Sequence, residues 1–172
     1  MNLQPTLSDT LVLLKPLEAS NFEVLFAAAA DPILSEQHPN PNRYKREVFE
    51  NFFQGAIASA GAFLILDKAS GTTIGSSRYY GYNADEKSIL IGYTFYARPY
   101  WGKGYNAAVK KLMIEHAFNF VDTIILHVGA ENYRSQSAMA KLGAIKTQEI
   151  EVAYYGEPKR VNFEYRLEKE VI

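Results

Sequence analysis

Hydrophobic and polar positions along this chain fall into short runs separated by turn-forming residues. Three runs follow one another closely in the middle of the sequence and have the alternation and the aliphatic and aromatic content of strands: residues 62–67, 73–80 and 87–96. The connections at 68–71 and 81–86 are short and rich in glycine, serine and asparagine. Such connections are typical of hairpins, so the pattern predicts three consecutive antiparallel strands.

Four other segments have the spacing or the end signals of helices. They cover residues 21–30, 45–60, 104–120 and 135–142, with an irregular proline-rich connection at 31–42. Phe49, Phe52 and Phe53 share one face of the second helix, and Gly143 would end the fourth as a C′ glycine. The apolar line of the third helix comprises Val109, Leu112, Met113, Ala117 and Phe120.

The remaining runs complete the order of elements. A first strand covers 11–14, a buried strand covers 123–128, and two strands at 145–155 and 161–167 close the chain around a turn at 156–158. Because a helix connects the strands before and after it, those two strands are expected to pair in parallel. No repeat or linker divides the sequence, so the order β-α-α-β-β-β-α-β-α-β-β predicts a single domain over residues 1–172.

Composition excludes several classes of function. Lys and Arg number 18, Asp and Glu number 19, and the formal net charge is −1. No basic excess is present to bind phosphates, so we expect no nucleic-acid partner. The absence of cysteine excludes disulfides, thiolate metal sites and thiol catalysis, and the three histidines lack the spacing of metal ligands. We therefore expect no metal.

The sequence predicts neither a secretory signal nor a membrane span. Residues 1–6 have no basic or apolar segment of the signal type, and the longest near-apolar window, 21–30, is far shorter than a bilayer requires. We expect a cytoplasmic protein with no membrane partner, acting as a monomer or a homodimer.

A glycine-bearing turn follows the third strand of the central group. Its sequence is Trp101-Gly102-Lys103-Gly104-Tyr105-Asn106, and it leads directly into the third helix. Glycine lets the backbone approach a ligand, and the first helical N–H groups and the helix dipole attract an anion. The order of strand, turn and helix therefore indicates a phosphate site, although Gly-x-Gly alone is more often a plain turn.

A second motif follows the buried strand. It comprises Asn132-Tyr133-Arg134-Ser135 and then Ala138-Met139-Ala140-Lys141-Leu142-Gly143-Ala144. In this order, and each after a predicted strand, the two motifs resemble those of the GCN5-related N-acetyltransferase (GNAT) superfamily. They resemble its ribosomal-protein-alanine N-acetyltransferase branch most closely. The resemblance covers residues 10–167.

The resemblance implies a fold and a co-substrate. The fold would be mixed α/β and GNAT-like: a mostly antiparallel twisted sheet of six to seven strands, splayed at a parallel pair and flanked by about four helices. The co-substrate would be acetyl-CoA, with its pyrophosphate on the glycine turn at 101–106. The pantetheine arm would pair with the backbone of Thr94, Phe95 and Tyr96, and Asn132 would contact it from the neighbouring strand end.

The resemblance also implies roles in catalysis. A backbone N–H near Phe95 would stabilise the oxyanion, on a strand that carries a bulge in this family. Ser135 would lie near the leaving thiolate, where it is a candidate for both donor binding and general acid catalysis. The acceptor amine would attack the thioester directly, with no acyl-enzyme.

The sequence departs from the family at two functional positions. Met139 stands where many relatives have a tyrosine general acid, and Leu90 stands where many have a glutamate base. A serine or a water would then supply the proton to the thiolate. The base stays open among His127, Glu131 and Glu86.

The sequence also predicts surroundings for the other basic side chains. Lys103, Lys110 and Lys111 are either a solvated helix face or, for the first two, partners of the CoA 3′-phosphate. His116 lies on an apolar helix line and is expected to be packed, whereas His38 lies in a proline-rich loop that is either exposed or faces the substrate.

The resemblance, with the motifs that carry it, implies an acetyl-CoA-dependent N-acetyltransferase. Its acceptor would be a protein N-terminal α-amine or a small-molecule amine. Two other functions remain: a non-catalytic acyl-CoA-binding sensor, favoured by the two departures, and a nucleotide-binding module. The latter is disfavoured because no Gly-Lys-Ser/Thr follows the turn.

Overall fold

The computed structural model describes residues 1–38, 40–153 and 158–170. Its strands are β1 Leu7–Ser8, β2 Val12–Pro16, β3 Ala62–Asp67, β4 Thr73–Asn83, β5 Ser88–Tyr96, β6 Thr123–Gly129, β7 Ile145–Val152 and β8 Arg160–Glu168. Its α-helices are α1 Phe22–Ala29, α2 Arg46–Ser59, α3 Tyr105–Ala117 and α4 Tyr133–Leu142.

The strands form one sheet in the order β1-β2-β3-β4-β5-β6-β8-β7. Every neighbouring pair is antiparallel except β5 and β6, which the α3 crossover connects in parallel. The predicted mixed α/β fold, with its mostly antiparallel sheet, single parallel pair and four helices, is confirmed. The strand count rises to eight within the described residues because β1 has only two residues, too few for a hydrophobic pattern to reveal.

The parallel pair opens part of the way along its length. β5 and β6 are register partners only from Ser88↔Thr123 to Leu90↔Ile125, although both strands continue beyond these positions. Past that point β5 gains one residue relative to β4, and Tyr93 has a φ of +54°. This is the bulge that the resemblance implied. A bulge bends its strand, so β5 diverges from β6 and leaves a gap between them.

Two apolar cores cover the two faces of the sheet. On one face, Val109 and Met113 of α3 and Met139 of α4 pack with strand residues such as Ile91 and Leu126. Burying each such side chain contributes about 1.5–3 kcal/mol. The gap between β5 and β6 therefore lies between two well-packed layers.

The opposite face carries α1 and α2. Phe49, Phe52 and Phe53 of α2 pack there with Leu25 of α1 and Leu64 of β3. The prediction that these phenylalanines join the second helix to the sheet is confirmed.

The element ends differ from the predicted ones in several places. The first predicted strand lies one to two residues further on, at Val12–Pro16, and α3 ends at Ala117, which leaves Phe120 45% exposed instead of on an apolar line. α4 begins at Tyr133 rather than at Ser135 because Asn132 caps it. The predicted end of β7 and the following turn fall partly on 154–157, outside the described residues.

Candidate active site

A cavity of about 520 Å³ lies at the gap between β5 and β6. It reaches from the glycine turn before α3 to the aromatic face of α2. Of the residues predicted for the site, nine line it: Thr94, Phe95, Tyr96, Trp101, Gly102, Asn106, His127, Asn132 and Ser135. The structure thus brings the two sequence motifs and the predicted strand segment together at one cavity.

The glycine turn has the backbone form that an anion site needs. Gly102 and Gly104 have φ values of +68° and +86°, and a Cβ on either would meet no atom within 4 Å. The glycines are therefore required by backbone torsion rather than by crowding, and the space in front of the turn is open. Gly104 is the N-cap of α3, and the first bond of the helix runs from Ala108 N to Gly104 O. The N–H groups of the first turn therefore lack helical acceptors.

Three residues of the turn do not line the cavity: Lys103, Gly104 and Tyr105. Lys103 is exposed. The Tyr105 hydroxyl donates to Asp67 Oδ1 at 3.0 Å, and its ring packs edge-on against Tyr100. The side chain of Tyr105 therefore fixes the start of α3 against β3, and only its backbone is available for an anion.

Trp101 connects the end of β5 to α4. Its indole Nε1 donates to the backbone oxygen of Tyr96 at 2.8 Å, and the Arg134 guanidinium lies 4.5 Å from its ring centroid. The carbonyl of Tyr96 is therefore already an acceptor before any pantetheine arm binds. Arg134 in turn donates to Ile33 O at 3.0 Å, which fixes the connection between α1 and α2 over the cavity.

Lys110 is not part of a solvated basic face. It is 3% exposed, and its Nζ donates to Thr94 Oγ1 at 2.6 Å and to Ser77 Oγ at 3.4 Å. Burial lowers its pKa to about 7. The interpretation of Lys110 as part of a solvated helix face is therefore wrong, because hydroxyls of β4 and β5 hold its side chain at the cavity.

Asn132 and Ser135 meet at the start of α4. The Asn132 side chain accepts from Ser135 N at 3.3 Å, so Asn132 is the N-cap of the helix. Both residues also line the cavity. The Ser135 hydroxyl makes no hydrogen bond within the part of the chain that the structure describes, which leaves it available to a ligand.

His127 lies on the face of β6 opposite Leu126 and Val128. Its Nε2 is 3.4 Å from Glu164 Oε2, and its Nδ1 is buried with no hydrogen-bond partner among the described residues. Burial lowers the pKa of His127, and the Glu164 carboxylate partly offsets this. His127 is therefore mainly neutral at pH 7 and able to accept a proton.

The other two candidate bases do not line the cavity. Glu86 lies in the turn before β5, at the end where β5 and β6 are paired, and Glu131 is exposed. His38 does line the cavity, which agrees with the alternative that it faces the substrate. Burial and then the positive charge of Arg43 hold the pKa of His38 well below its ordinary value. His116 is half-buried against Tyr79.

The α2 side of the cavity is aromatic and basic. Phe49, Phe52, Tyr93 and Phe95 form its wall, and the Arg43 guanidinium lies 4.9 Å from the Phe52 ring centroid. Behind this wall, Arg78 is 3% exposed and lies 3.7 Å from the Tyr93 centroid. Burial lowers the pKa of Arg78 to about 10. Sequence reasoning missed Arg78, because an arginine in a strand pattern gives no sign that it is buried.

Tyr96, which also lines the cavity, carries a second polar atom without a partner. The Tyr96 hydroxyl is buried and unpaired within the described ranges, and burial raises its pKa, so it keeps its proton. Buried polar groups are nearly always paired, so this hydroxyl and His127 Nδ1 suit a polar ligand that supplies the missing partners. With the open glycine turn, they fit a long ligand with an anionic end and a peptide-like arm.

Two other features are absent from the described residues. No three or more His, Asp or Glu side chains there are grouped to hold a metal ion. Over the same ranges, no helix has the length and apolar content to cross a membrane.

Comparison with known proteins agrees with the geometry. Residues 12–145 match the family model described as Acetyltransferase (GNAT) domain. A GCN5-related N-acetyltransferase from Brucella melitensis has a TM-score of 0.82 at 18% identity, over 96% of this chain and 79% of that one.

Two structures from Vibrio cholerae are also similar. One, provisionally described as a ribosomal-protein-serine acetyltransferase, has a TM-score of 0.75 at 16% identity, over 98% of this chain and 100% of that one. The other, spermidine N-acetyltransferase in complex with CoA and spermine, has a TM-score of 0.69 at 15% identity, over 93% of this chain and 96% of that one. At these identities the structures show a shared fold.

Proposed function

The chain belongs to the GNAT acetyltransferase family, and from this premise we propose that it transfers the acetyl group of acetyl-CoA to a primary amine. One observation carries the proposal. A single cavity joins the open glycine turn, the unpaired stretch of β5, the start of α4 and the neutral His127.

The donor would bind along the first three of these features. The backbone N–H groups at Gly102 to Asn106 face an open space at a helix N-terminus, which suits the pyrophosphate. Beyond the bulge, alternate backbone groups of Thr94, Phe95 and Tyr96 point away from β4, which suits a peptide-like arm. Asn132 would contact the arm from the end of β6.

Three protein groups would perform the chemistry. His127 takes a proton from the acceptor ammonium, and the free amine attacks the thioester carbon. A backbone N–H at or beside Phe95 stabilises the charge on the carbonyl oxygen. Ser135, whose hydroxyl has no other partner among the described residues, gives a proton to the leaving sulfur; a water is the alternative donor. Met139 borders the cavity but has no proton to give.

The acceptor would be a protein N-terminal α-amine or a small-molecule amine. The described residues that line the cavity include no Asp or Glu, whereas Arg43 and Arg134 lie on it. A polycation would therefore find no opposite charge among these residues. We propose an acceptor with one amine and an apolar body, which the wall formed by Phe49 and Phe52 suits. The protein would act in the cytoplasm as a monomer or a homodimer.

Isothermal calorimetry with acetyl-CoA tests the proposal. Gly104→Asp would put a carboxylate against the pyrophosphate, and Gly71→Asp is its control. Gly71 has a similar φ of +73° and open surroundings, and it lies in the β3–β4 turn. We expect binding by the wild type and by Gly71→Asp, with loss in Gly104→Asp. A folded wild type that binds no acetyl-CoA would refute the proposal.

Binding without transfer would favour the sensor. An amine panel with detection of the released thiol separates the two functions, because a sensor binds acetyl-CoA but releases no CoA with any amine. Competition by ATP for the same site would favour the nucleotide-binding module instead.

A further inference from the structure

His127 and Glu164 form a buried pair within the sheet. They are direct register partners in the antiparallel pairing of β6 and β8. Their side chains are 13% and 8% exposed, with 3.4 Å between Nε2 and Oε2. Facing side chains on neighbouring strands lie close together, so the sheet itself fixes the contact.

Glu164 is held in an ionised form by other contacts. Its Oε1 accepts from Arg166 Nε at 3.0 Å and from Thr147 Oγ1 at 3.2 Å. Burial raises the pKa of the carboxyl, but hydrogen bonds led by the one from Arg166 outweigh this, so the pKa lies below its ordinary value. A carboxylate only accepts hydrogen bonds, so the imidazole nitrogen that faces it must carry the proton.

We propose that Glu164 is a positioning residue for His127, which keeps the proton on Nε2 and leaves the lone pair of Nδ1 for the acceptor. Nδ1 is buried and has no partner in the described part of the chain, and His127 lines the cavity. An unpaired buried nitrogen is costly unless a ligand supplies a donor, and an acceptor ammonium is such a donor. The inference rests on the proposed function.

The proton and electron balance is complete without a further reactant. Nδ1 takes one proton from the ammonium, and the Glu164 carboxylate stabilises the resulting imidazolium. The amine forms the new N–C bond, and the C–S bond breaks with its electron pair on sulfur. Of the two protons that the nitrogen loses, one passes through Nδ1 to solvent and the other is balanced by the proton that the sulfur gains.

Other charged groups surround the same cavity. They are His38 and Arg43 before α2, Lys110 of α3, and Arg134 and Lys141 of α4. Arg166 does not line the cavity but donates to Glu164 along β8. Substitution of Glu164 leaves the groups that line the cavity in place and removes the ion-pair partner of Arg166. Lys110, with a pKa of about 7, titrates in the wild type and in the variant alike. The difference between the pH profiles of the wild type and the Glu164 variant therefore reports the charge of Glu164.

The test compares pH profiles of kcat/KM for wild type, Glu164→Gln and Glu164→Asp. Loss of the carboxylate lowers the pKa of His127. The acid limb of the kcat/KM profile should therefore shift to lower pH by about one unit in Glu164→Gln. We expect kcat to fall about 10-fold or more, because the base is weaker and its tautomer is no longer fixed, with KM for acetyl-CoA unchanged. Glu164→Asp should keep the wild-type limb.

Glu168→Gln is the matched control. Glu168 lies on the same strand, accepts from Thr123 Oγ1 at 2.6 Å, and does not line the cavity. Its substitution should leave the limb and kcat unchanged. A uniform loss of rate in Glu164→Gln without movement of the limb would overturn the positioning role.

A second measurement needs no variant of Glu164. Nitrogen-15 NMR of the histidine-labelled wild type reports the tautomer of each of its three histidines. The signals of His127 are identified as those that are missing from His127→Gln. A proton on Nε2 is expected, and a proton on Nδ1 would overturn the inference while the proposed function stands. Failure of acetyl-CoA to bind, by contrast, would refute the proposed function.

Discussion

Lys110 donates a 2.6 Å hydrogen bond to Thr94 and so joins the second turn of α3 to the strand segment just after the bulge. The Thr94 and Ser77 hydroxyls also lie 2.8 Å apart, so the lysine completes a buried cluster of three polar groups. Within the described residues, no carboxylate forms an ion pair with Lys110. A buried cation whose contacts are hydroxyls costs stability, and it does so next to the segment proposed to bind the donor.

Lys110→Met should stabilise the protein, and most strongly at low pH. The folded pKa is about 7 against an ordinary value of 10.5. The unfolded chain therefore binds more protons between these values, and wild-type stability rises with pH across that range. The gain from methionine is then largest below pH 7 and shrinks toward pH 10.5. Urea unfolding at several pH values measures it.

The exposed neighbour Lys111 supplies the control for this prediction. Lys111→Met should change stability by less than about 0.5 kcal/mol at every pH. Equal effects of the two substitutions would contradict the burial of Lys110.

Phe49→Ala should be among the costly core substitutions. Phe49 is 1% exposed, and its ring contacts those of Phe22, Phe52 and Phe95. We expect a loss of about 3–5 kcal/mol in urea unfolding, because a large cavity forms between α2 and the sheet. Phe120→Ala is the control: that ring is exposed, so its loss should be small.

Two substitutions of Asn132 should distinguish its role in capping α4 from its role in binding the donor. Asn132→Ala removes the cap of α4 and should cost about 1 kcal/mol of stability as well as donor affinity. Asn132→Ser keeps a capping oxygen but removes the amide, so stability should return while acetyl-CoA binding stays weak. Recovery of both in the serine variant would mean that Asn132 serves only as a cap.

Ser135→Ala tests the proton donor. Its hydroxyl has no partner in the described chain, so stability should change little. If the serine is the general acid, kcat should fall by about 100-fold, with KM for both substrates unchanged. Steady-state kinetics with thiol detection decides this, and an unaltered kcat would assign the proton to water.

The motifs were predictable from the sequence because each acts locally. Gly104 and Asn132 cap helices, and a cap is determined by its own residue type and the next few positions. The order of the elements along the chain and the parallel pair followed from the same local signals, and the gap after that pair followed from the family resemblance. The position of β8 between β6 and β7 in the sheet was not predicted. Together the motifs and the resemblance predicted nine of the residues that line the cavity.

What the sequence did not predict depends on long-range contacts. The contact of His127 with Glu164 requires the register of β6 and β8, which are 37 residues apart at this pair. The burial of Lys110 depends on how α3 is rotated against β5, and its neighbour Lys111 remains exposed. Local sequence patterns specify neither the register of β6 against β8 nor the rotation of α3 against β5.

The most direct test of the central claim is amine-dependent release of CoA thiol by the wild type and by His127→Gln. We predict release that requires both acetyl-CoA and a monoamine acceptor, and a fall of about 100-fold or more in the variant while acetyl-CoA still binds. Binding of acetyl-CoA with no thiol release for any amine would contradict an acetyltransferase and favour a sensor.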